Sequence, residues 1–346
     1  MKTTAAVLVE LAKPLELADL EIPALKPGQV LVEIAFSGVC HTQLLEARGL
    51  RGADPFVPHC LGHEAGGTVV DVGPAVTKVR PGGRVILSWI KGSGLDVPGT
   101  VYDWNGRKVN AGGVTTFARH AVAAENRLTP VPDDFPLREA ALLGCAVPTG
   151  LGAVFNTAAP RPGQSLAVFG TGGIGLCAVA AARISGLTPI VAVDVSPDRL
   201  EVARRMGATH LVDAGQEDPV AAIAQLVPGG ADFAVEASGR PEVMNQALLS
   251  VRNQGGAAVL VGNAPFGRLL ELDPKQFNLG KRLLGTWGGD NVPDRDFPRY
   301  CRLVAGGLLS LEPLLDRAYS LNDVNRALDD LEARTVARPL IDMQLR

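Results

Sequence analysis

Long apolar runs are missing from this chain. Its longest uncharged stretches, 140–160 and 162–182, are broken by glycine and polar residues, so neither reads as a membrane-spanning segment. The N-terminus "MKTTAAVLVELAKPLELADL" lacks a signal-peptide core, because Glu10 and Lys13 interrupt its short apolar run. A soluble, cytoplasmic protein is therefore expected. Basic charge is not in excess either: the formal net charge is −3 and no cluster of lysine and arginine is interleaved with aromatics. That removes the electrostatic footprint of a nucleic-acid or anionic-membrane binder. Cysteines number five, an odd and scattered set, which argues against a disulfide framework. Each is left as a candidate metal ligand or a small buried hydrophobe.

What is present fits a soluble globular chain of two domains: 346 residues, 47% hydrophobic and 20% charged. The first 145 or so residues are β-rich. "QVLVEIAFSGV", "AGGTVVDVG" and "GGRVILSWI" read as strands set off by Gly and Pro turns. After Pro148 strands alternate with helices: "SLAVFG", "GIGLCAVAAARISG", "IVAVDV", "SPDRLEVARRMG" and so on to "GAAVLVG". That alternation implies right-handed βαβ units and a parallel, doubly wound sheet. Past Gly285 the pattern turns irregular and ends in "VARPLIDMQL", a closing strand. The expected organisation is an α/β fold with a discontinuous β-rich domain, 1–146 plus 287–346, and a nucleotide domain, 147–286, inserted in it.

"LAVFGTGGIG" carries Gly170, Gly172 and Gly175 in G-x-G-x-x-G spacing, after a strand and before a helix. Gly170 permits the tight turn, Gly172 the approach of a pyrophosphate, and Gly175 close helix–strand packing. Thr171, Gly173 and Ile174 complete the turn, whose helix N-terminus attracts phosphate charge. Asp194 ends the next strand, where it would accept hydrogen bonds from ribose hydroxyls and repel a 2′-phosphate. NAD is expected over NADP.

"SGVCHTQLLEARG" sets Cys40, His41 and Thr42 in a row, and "LGHEAGG" supplies His63 and Glu64. "LLGCAVPTGLGAV" adds Cys145. Two thiolates and an imidazole far apart in sequence match the Cys₂His set of a catalytic zinc that keeps one position open. "GVCHT", "GHEAGG", "GCAVPTG" and "VFGTGGIG", in this order, resemble the zinc-containing medium-chain alcohol dehydrogenases along essentially the whole chain. The resemblance implies a GroES-like catalytic domain, a Rossmann domain and NAD. It makes Cys40, His63 and Cys145 the zinc ligands, with Glu64 either joining transiently or standing behind them. On an extended segment adjacent side chains face opposite ways, so Cys40 and His41 are not expected to share one ion, and the resemblance gives the metal to Cys40. The family pattern gives His41 to the cofactor pyrophosphate and Thr42 to the substrate proton. It further assigns Thr149, Leu260, Val261, Gly262 and Asn263 to the nicotinamide side and Arg199 to the adenosine ribose. Gly285 and Thr286 are set near the cofactor, and Arg338 on the pyrophosphate. Thr42, Leu45 and Trp89 fall at the substrate pocket, Trp89 being equally readable as a packing residue.

Departures from the family pattern are as informative. No cysteine occurs in "KGSGLDVPGTVYDWNGRKVNAGG", so the family's second, structural zinc is not expected; "VYDWNGRKVN" reads instead as a hairpin closed by Asn105-Gly106. Gln43 stands where an aspartate often supports the zinc-bound histidine, and Leu45 where a histidine ends the proton relay. Cys60 has metal-box spacing to His63 but reads as a packed thiol. His59, His120, His210, Cys177 and Cys301 read as structural or surface residues. The implied activity is reversible oxidation of a small-molecule alcohol to its aldehyde or ketone with NAD, in a homodimer or homotetramer. The rivals are a metal-free quinone or enoyl reductase, and an NAD-binding sensor without turnover.

Overall fold

The computed structural model describes residues 1–315 and 317–345. The chain divides into two compact units: Met1–Cys145 with Val292–Gly306 and Leu314–Arg346, and Ala146–Asn291 with Gly307–Pro313. The sequence places the cuts at 146/147 and 286/287, one residue late at the first boundary and five early at the second. It also leaves 307–313 in the first unit, where the structure gives them to the second. The difference at the second boundary has a physical cause. The Asn291 amide donates to Pro148 O at 2.7 Å and to Gly288 O at 2.6 Å, tying residues 287–291 into the second unit. A bond between residues so distant leaves no local signature. No helix among the described residues is long and apolar enough to cross a membrane.

In the first unit the ten-residue strand Gln29–Gly38 is the spine. Val30, Val32 and Ile34 alternate into one core with Leu44, Leu61, Leu87 and Phe117, the period of two that a strand imposes. Leu31 on the opposite face joins Val7, Leu20, Cys60 and Tyr102. Five strands, Lys2–Leu8, Glu16–Glu21, Val101–Trp104, Arg107–Asn110 and His59–Cys60, close into a barrel. Two of them form the expected hairpin, with Trp104 opposite Arg107 and both Asn105 (φ 51°) and Gly106 (φ 87°) left-handed, as a type I′ turn requires.

The strand pairing decides where functional groups emerge. Gln29–Gly38 runs antiparallel to Glu64–Val72 on one side and to Leu340–Asp342 on the other, with Ser37 opposite Ala65 and Ile341. Glu64–Val72 is in turn antiparallel to Arg84–Ser88, Glu64 facing Ser88. Residues 40, 63–64, 88–89 and 338 therefore leave the sheet at one end. Helix Leu137–Leu142 lies so close to this sheet that a Cβ at Gly66 would sit 2.1 Å from Leu137 O. It delivers Cys145 to the same end.

The second unit is a six-stranded parallel sheet. Its order is His210–Asp213, Ile190–Asp194, Leu166–Phe169, Phe233–Glu236, Ala257–Leu260 and Arg282–Gly285. Leu166–Phe169, first in sequence, lies between the second and fourth strands, which makes its carboxyl end the topological switch point. Gly170, Asp194, Glu236, Leu260 and Gly285 all lie at or just beyond the carboxyl ends of their strands.

Candidate metal centre and nucleotide site

Cys40, His63 and Cys145 converge. One ligand atom from each lies within 4.8 Å of the others. Cys40 Sγ is 4.0 Å from Cys145 Sγ, and His63 Nε2 is 3.2 Å from Cys145 Sγ. Both thiols are buried, at 6% exposure. Two soft thiolates and an imidazole around one point fit zinc. The pair divides a proton. The hydrogen bond from Cys145 holds the Cys40 thiol well below its ordinary range, aided by the charge of Arg338 and by His63. The same Cys40–Cys145 contact, with burial, pushes Cys145 well above its range, while a hydrogen bond from the Trp89 side chain pulls it back.

Cys40 itself is extended, as the sequence suggests, at φ −97° and ψ 151°, but the extended segment ends with it. It stands at the N-cap of helix His41–Ala47. The divergence of Cys40 from His41 thus comes from a helix start. His41 opens the helix and is exposed; Thr42 beside it is half-buried. Partial burial of the His41 ring lowers its pKa, the Cys40 thiolate opposing and Arg334 adding. Leu45 is buried on the same helix, at 7% exposure. Trp89 is part-buried against the first unit's core.

Behind the three ligands sits a buried polar layer that the sequence discloses only in part. Gln43, 2% exposed, accepts the Cys40 N–H on Oε1 at 3.3 Å while its Nε2 faces His63 Nδ1. Ser88 donates to Gly144 O at 2.6 Å and accepts from Ile90 N at 3.0 Å, fixing the backbone before Cys145. Nothing in "GGRVILSWI" marks Ser88 for that task.

Glu64 lies outside the converging trio. It is fully buried, and its Oε1 is paired with the Arg338 guanidinium. The resemblance puts Arg338 on a pyrophosphate; in the structure it is 5% exposed and turned to Glu64. The carboxylate is seated between two glycines, since a Cβ at Gly38 would lie 2.6 Å from Glu64 Cδ and one at Gly144 2.7 Å from Glu64 Cβ. Cys60 packs in the barrel core, and burial pushes its thiol up to about 12. His59 bonds Asp54 at 2.8 Å and Cys60 O at 3.0 Å. Cys177 and Cys301 are likewise buried, and His120 and His210 lie outside the trio.

In the second unit the glycine turn has the expected shape. Gly170 takes φ 86°, and a Cβ at Gly175 would lie 1.9 Å from Gly170 O, whereas one at Gly172 would meet nothing within 4 Å. The Gly172 backbone is therefore open to an approaching group. Helix Gly173–Ile184 starts directly behind it. Thr149, 6% exposed, has a buried hydroxyl with no hydrogen-bond partner among the described residues. An orphaned hydroxyl and an open backbone fit a dinucleotide.

Asp194 is more occupied than its sequence position suggests. Its Oδ2 accepts from Thr171 N and Oγ1 at 2.7 and 2.9 Å, and its Oδ1 from Val195 N and Ser196 N at 2.8 and 3.1 Å. It locks the glycine turn to the end of its own strand. Arg199 lies in the first turn of the helix Pro197–Met206 that follows. Thr286 bonds Thr157 at 2.7 Å, beside Gly285.

Glu236, the last residue of its strand, is a second organiser. Its buried Oε1 accepts from Ser238 N, Ser238 Oγ and Gly239 N at 2.6, 2.6 and 2.9 Å. Gly239 in turn approaches Asn263 so closely that its Cβ would lie 2.4 Å from Asn263 O. Leu260, Val261, Gly262 and Asn263 thus rest on a turn that Glu236 holds. Burial raises its pKa against those hydrogen bonds.

Residues 26–133 match the alcohol dehydrogenase GroES-like domain and residues 173–306 the zinc-binding dehydrogenase family. The chain is 34% identical to a protein named S-(hydroxymethyl)glutathione dehydrogenase from Synechocystis sp., over 95% of this chain and 96% of that one. It is 32% identical to alcohol dehydrogenase class-3 of Cereibacter sphaeroides, over 99% and 100% of the two. Among solved structures, an alcohol dehydrogenase zinc-binding domain protein from Burkholderia ambifaria superimposes with a TM-score of 0.92 at 32% identity, over 99% of both chains. Benzyl alcohol dehydrogenase from Acinetobacter calcoaceticus does so with 0.90 at 29%, again over 99% of both.

Proposed function

This chain belongs to the zinc-dependent medium-chain alcohol dehydrogenase family, and from that premise we propose which of its residues carry each part of the reaction. The reaction itself is zinc-dependent hydride exchange between an alcohol and NAD. One observation carries the assignment: the convergence of Cys40, His63 and Cys145. Those three side chains hold the zinc, which supplies Lewis acidity toward the substrate oxygen. Thr42, whose hydroxyl both accepts and donates, takes the alcohol proton. The turn at Gly170–Gly175 and Thr149 hold NAD, with Leu260–Asn263 on the nicotinamide side; His41 attends the pyrophosphate, and Asp194 and Arg199 the ribose. Glu64 and Arg338 act from behind, fixing the strand ends that present Cys40 and His63.

The proposed substrate is an alcohol with an apolar, aryl-sized substituent. Leu45 and Trp89 supply the non-ionic surfaces, Trp89 next to Cys145. Of the polar groups nearby, Arg51 pairs with Glu46 at 3.6 Å and His59 bonds Asp54 at 2.8 Å, while Arg127 donates to Trp89 O and has no ion pair among the described residues. A glutathione adduct carries two carboxylates and an ammonium, which one unpaired guanidinium does not match. We assign a homodimer or homotetramer, supported by Phe266, Leu269 and Trp287, which expose 82%, 81% and 75% of their surface. Five buried, unpaired thiols support a reducing compartment such as the cytoplasm.

The decisive experiment follows NADH formation by zinc-loaded protein with benzyl alcohol and with S-(hydroxymethyl)glutathione, alongside zinc content. One zinc per chain and a higher kcat/KM for benzyl alcohol support the reading. Preference for the glutathione adduct would overturn the substrate, and turnover in zinc-free protein would overturn the site.

A further inference from the structure

Two backbone and ring groups compete for one side chain at the metal centre. Gln43 is buried, with Oε1 taken by the Cys40 N–H at 3.3 Å and Nε2 turned to His63 Nδ1. A carboxamide has one accepting end and one donating end. With Nε2 donating to Nδ1, the ring proton belongs on Nε2, the nitrogen that faces Cys145 Sγ at 3.2 Å. That arrangement is self-consistent as N–H···S, but it occupies the nitrogen a metal needs. To ligate through Nε2, His63 must carry its proton on Nδ1, and that proton needs an acceptor.

Turning the Gln43 amide over would supply the acceptor. It would also set the NH₂ group against the Cys40 N–H, leaving a buried donor without a partner. In either orientation Gln43 can satisfy one of the two donors and not both. A carboxylate at this place would accept from both at once. The cost is intrinsic to the amide, and the metal-holding state bears it.

We infer that Gln43 is a positioning residue for His63 that makes the catalytic metal more weakly held than a carboxylate at the same position would. Its neutrality works in the same direction, because an uncharged partner adds no basicity to the imidazole. The effect is local to this chain's own residue 43 and rests on the zinc reading given above.

Gln43→Glu is nearly isosteric and changes only the accepting capacity and charge. The measurement is zinc release from the holoprotein to the chromogenic chelator 4-(2-pyridylazo)resorcinol, with zinc content of wild type determined first. Q43E is expected to hold zinc about 10- to 100-fold more tightly than wild type, and Gln43→Leu to lose it faster. Opposite signs in the two variants are what a merely structural role would not give, since loss of packing would loosen the ion in both. Equal or faster release from folded Q43E overturns the inference while leaving the zinc site intact. If Q43E does not fold, Gln43→Asp, the shorter carboxylate, takes its place, and release no slower than wild type overturns the inference. Wild-type protein that contains no zinc overturns the premise and the inference together.

Discussion

Arg338 is paired with Glu64 in the interior of the first unit, across 274 residues of sequence, behind the strand ends that carry Cys40 and His63. A pair this buried is costly to form and more costly to break on one side. Arg338→Met should therefore lower stability by about 3–5 kcal/mol, because it leaves the Glu64 carboxylate uncompensated. The double variant E64Q/R338M should recover much of that loss. Urea unfolding of the two variants and the wild type checks it; a double variant as unstable as R338M alone would show that the pair's charge balance is not the cause.

The two glycines at the nucleotide turn should fail differently. Gly175→Ala places a methyl 1.9 Å from Gly170 O, where backbone has to move. It should cost about 1–3 kcal/mol in stability as well as NAD affinity. Gly172→Ala meets nothing within 4 Å, so its melting temperature should stay near wild type while its NAD dissociation constant rises. Calorimetric melts paired with NAD titration separate the cases. An unchanged NAD affinity in G172A would remove that residue from the site.

Glu236 offers a pH test. Burial raises its folded-state pKa above the unfolded value, so the folded protein favours the protonated acid. Its contribution to stability is complete below the ordinary glutamate range, about 4.3, and is lost as pH rises through the raised folded value. Glu236→Gln keeps an accepting oxygen and cannot ionise. The melting-temperature difference, E236Q minus wild type, should grow more positive from pH 4 toward 7. A flat difference across that range would contradict the shift.

Thr42 should matter through its hydroxyl. Thr42→Val is expected to reduce kcat/KM by about 100-fold or more, with zinc content and NAD affinity retained, whereas Thr42→Ser should stay active. Steady-state kinetics with metal analysis check both. Comparable activity in T42V would move the proton route to His41 or to water.

What could be read from residues alone was whatever has a local cause. The Asn105-Gly106 turn needs two left-handed positions, and the dipeptide that tolerates them names the hairpin. Gly170, Gly172 and Gly175 announce a turn between strand and helix because each lacks a Cβ for a separate reason. Alternating strands and helices imply a parallel sheet before any coordinates are known. The Cys40, His63 and Cys145 set was legible through motif resemblance, and Gln43 as a departure from it. Tertiary structure decided the rest: the pairing of Arg338 with Glu64, the four strand and segment ends gathered behind the metal centre, the occupation of Asp194 by Thr171, and the hold of Glu236 on its turn. These arise from burial, which forces each enclosed polar atom to find a partner wherever the fold brings one. Such partners lie up to hundreds of residues away, and no period or propensity along the chain records them.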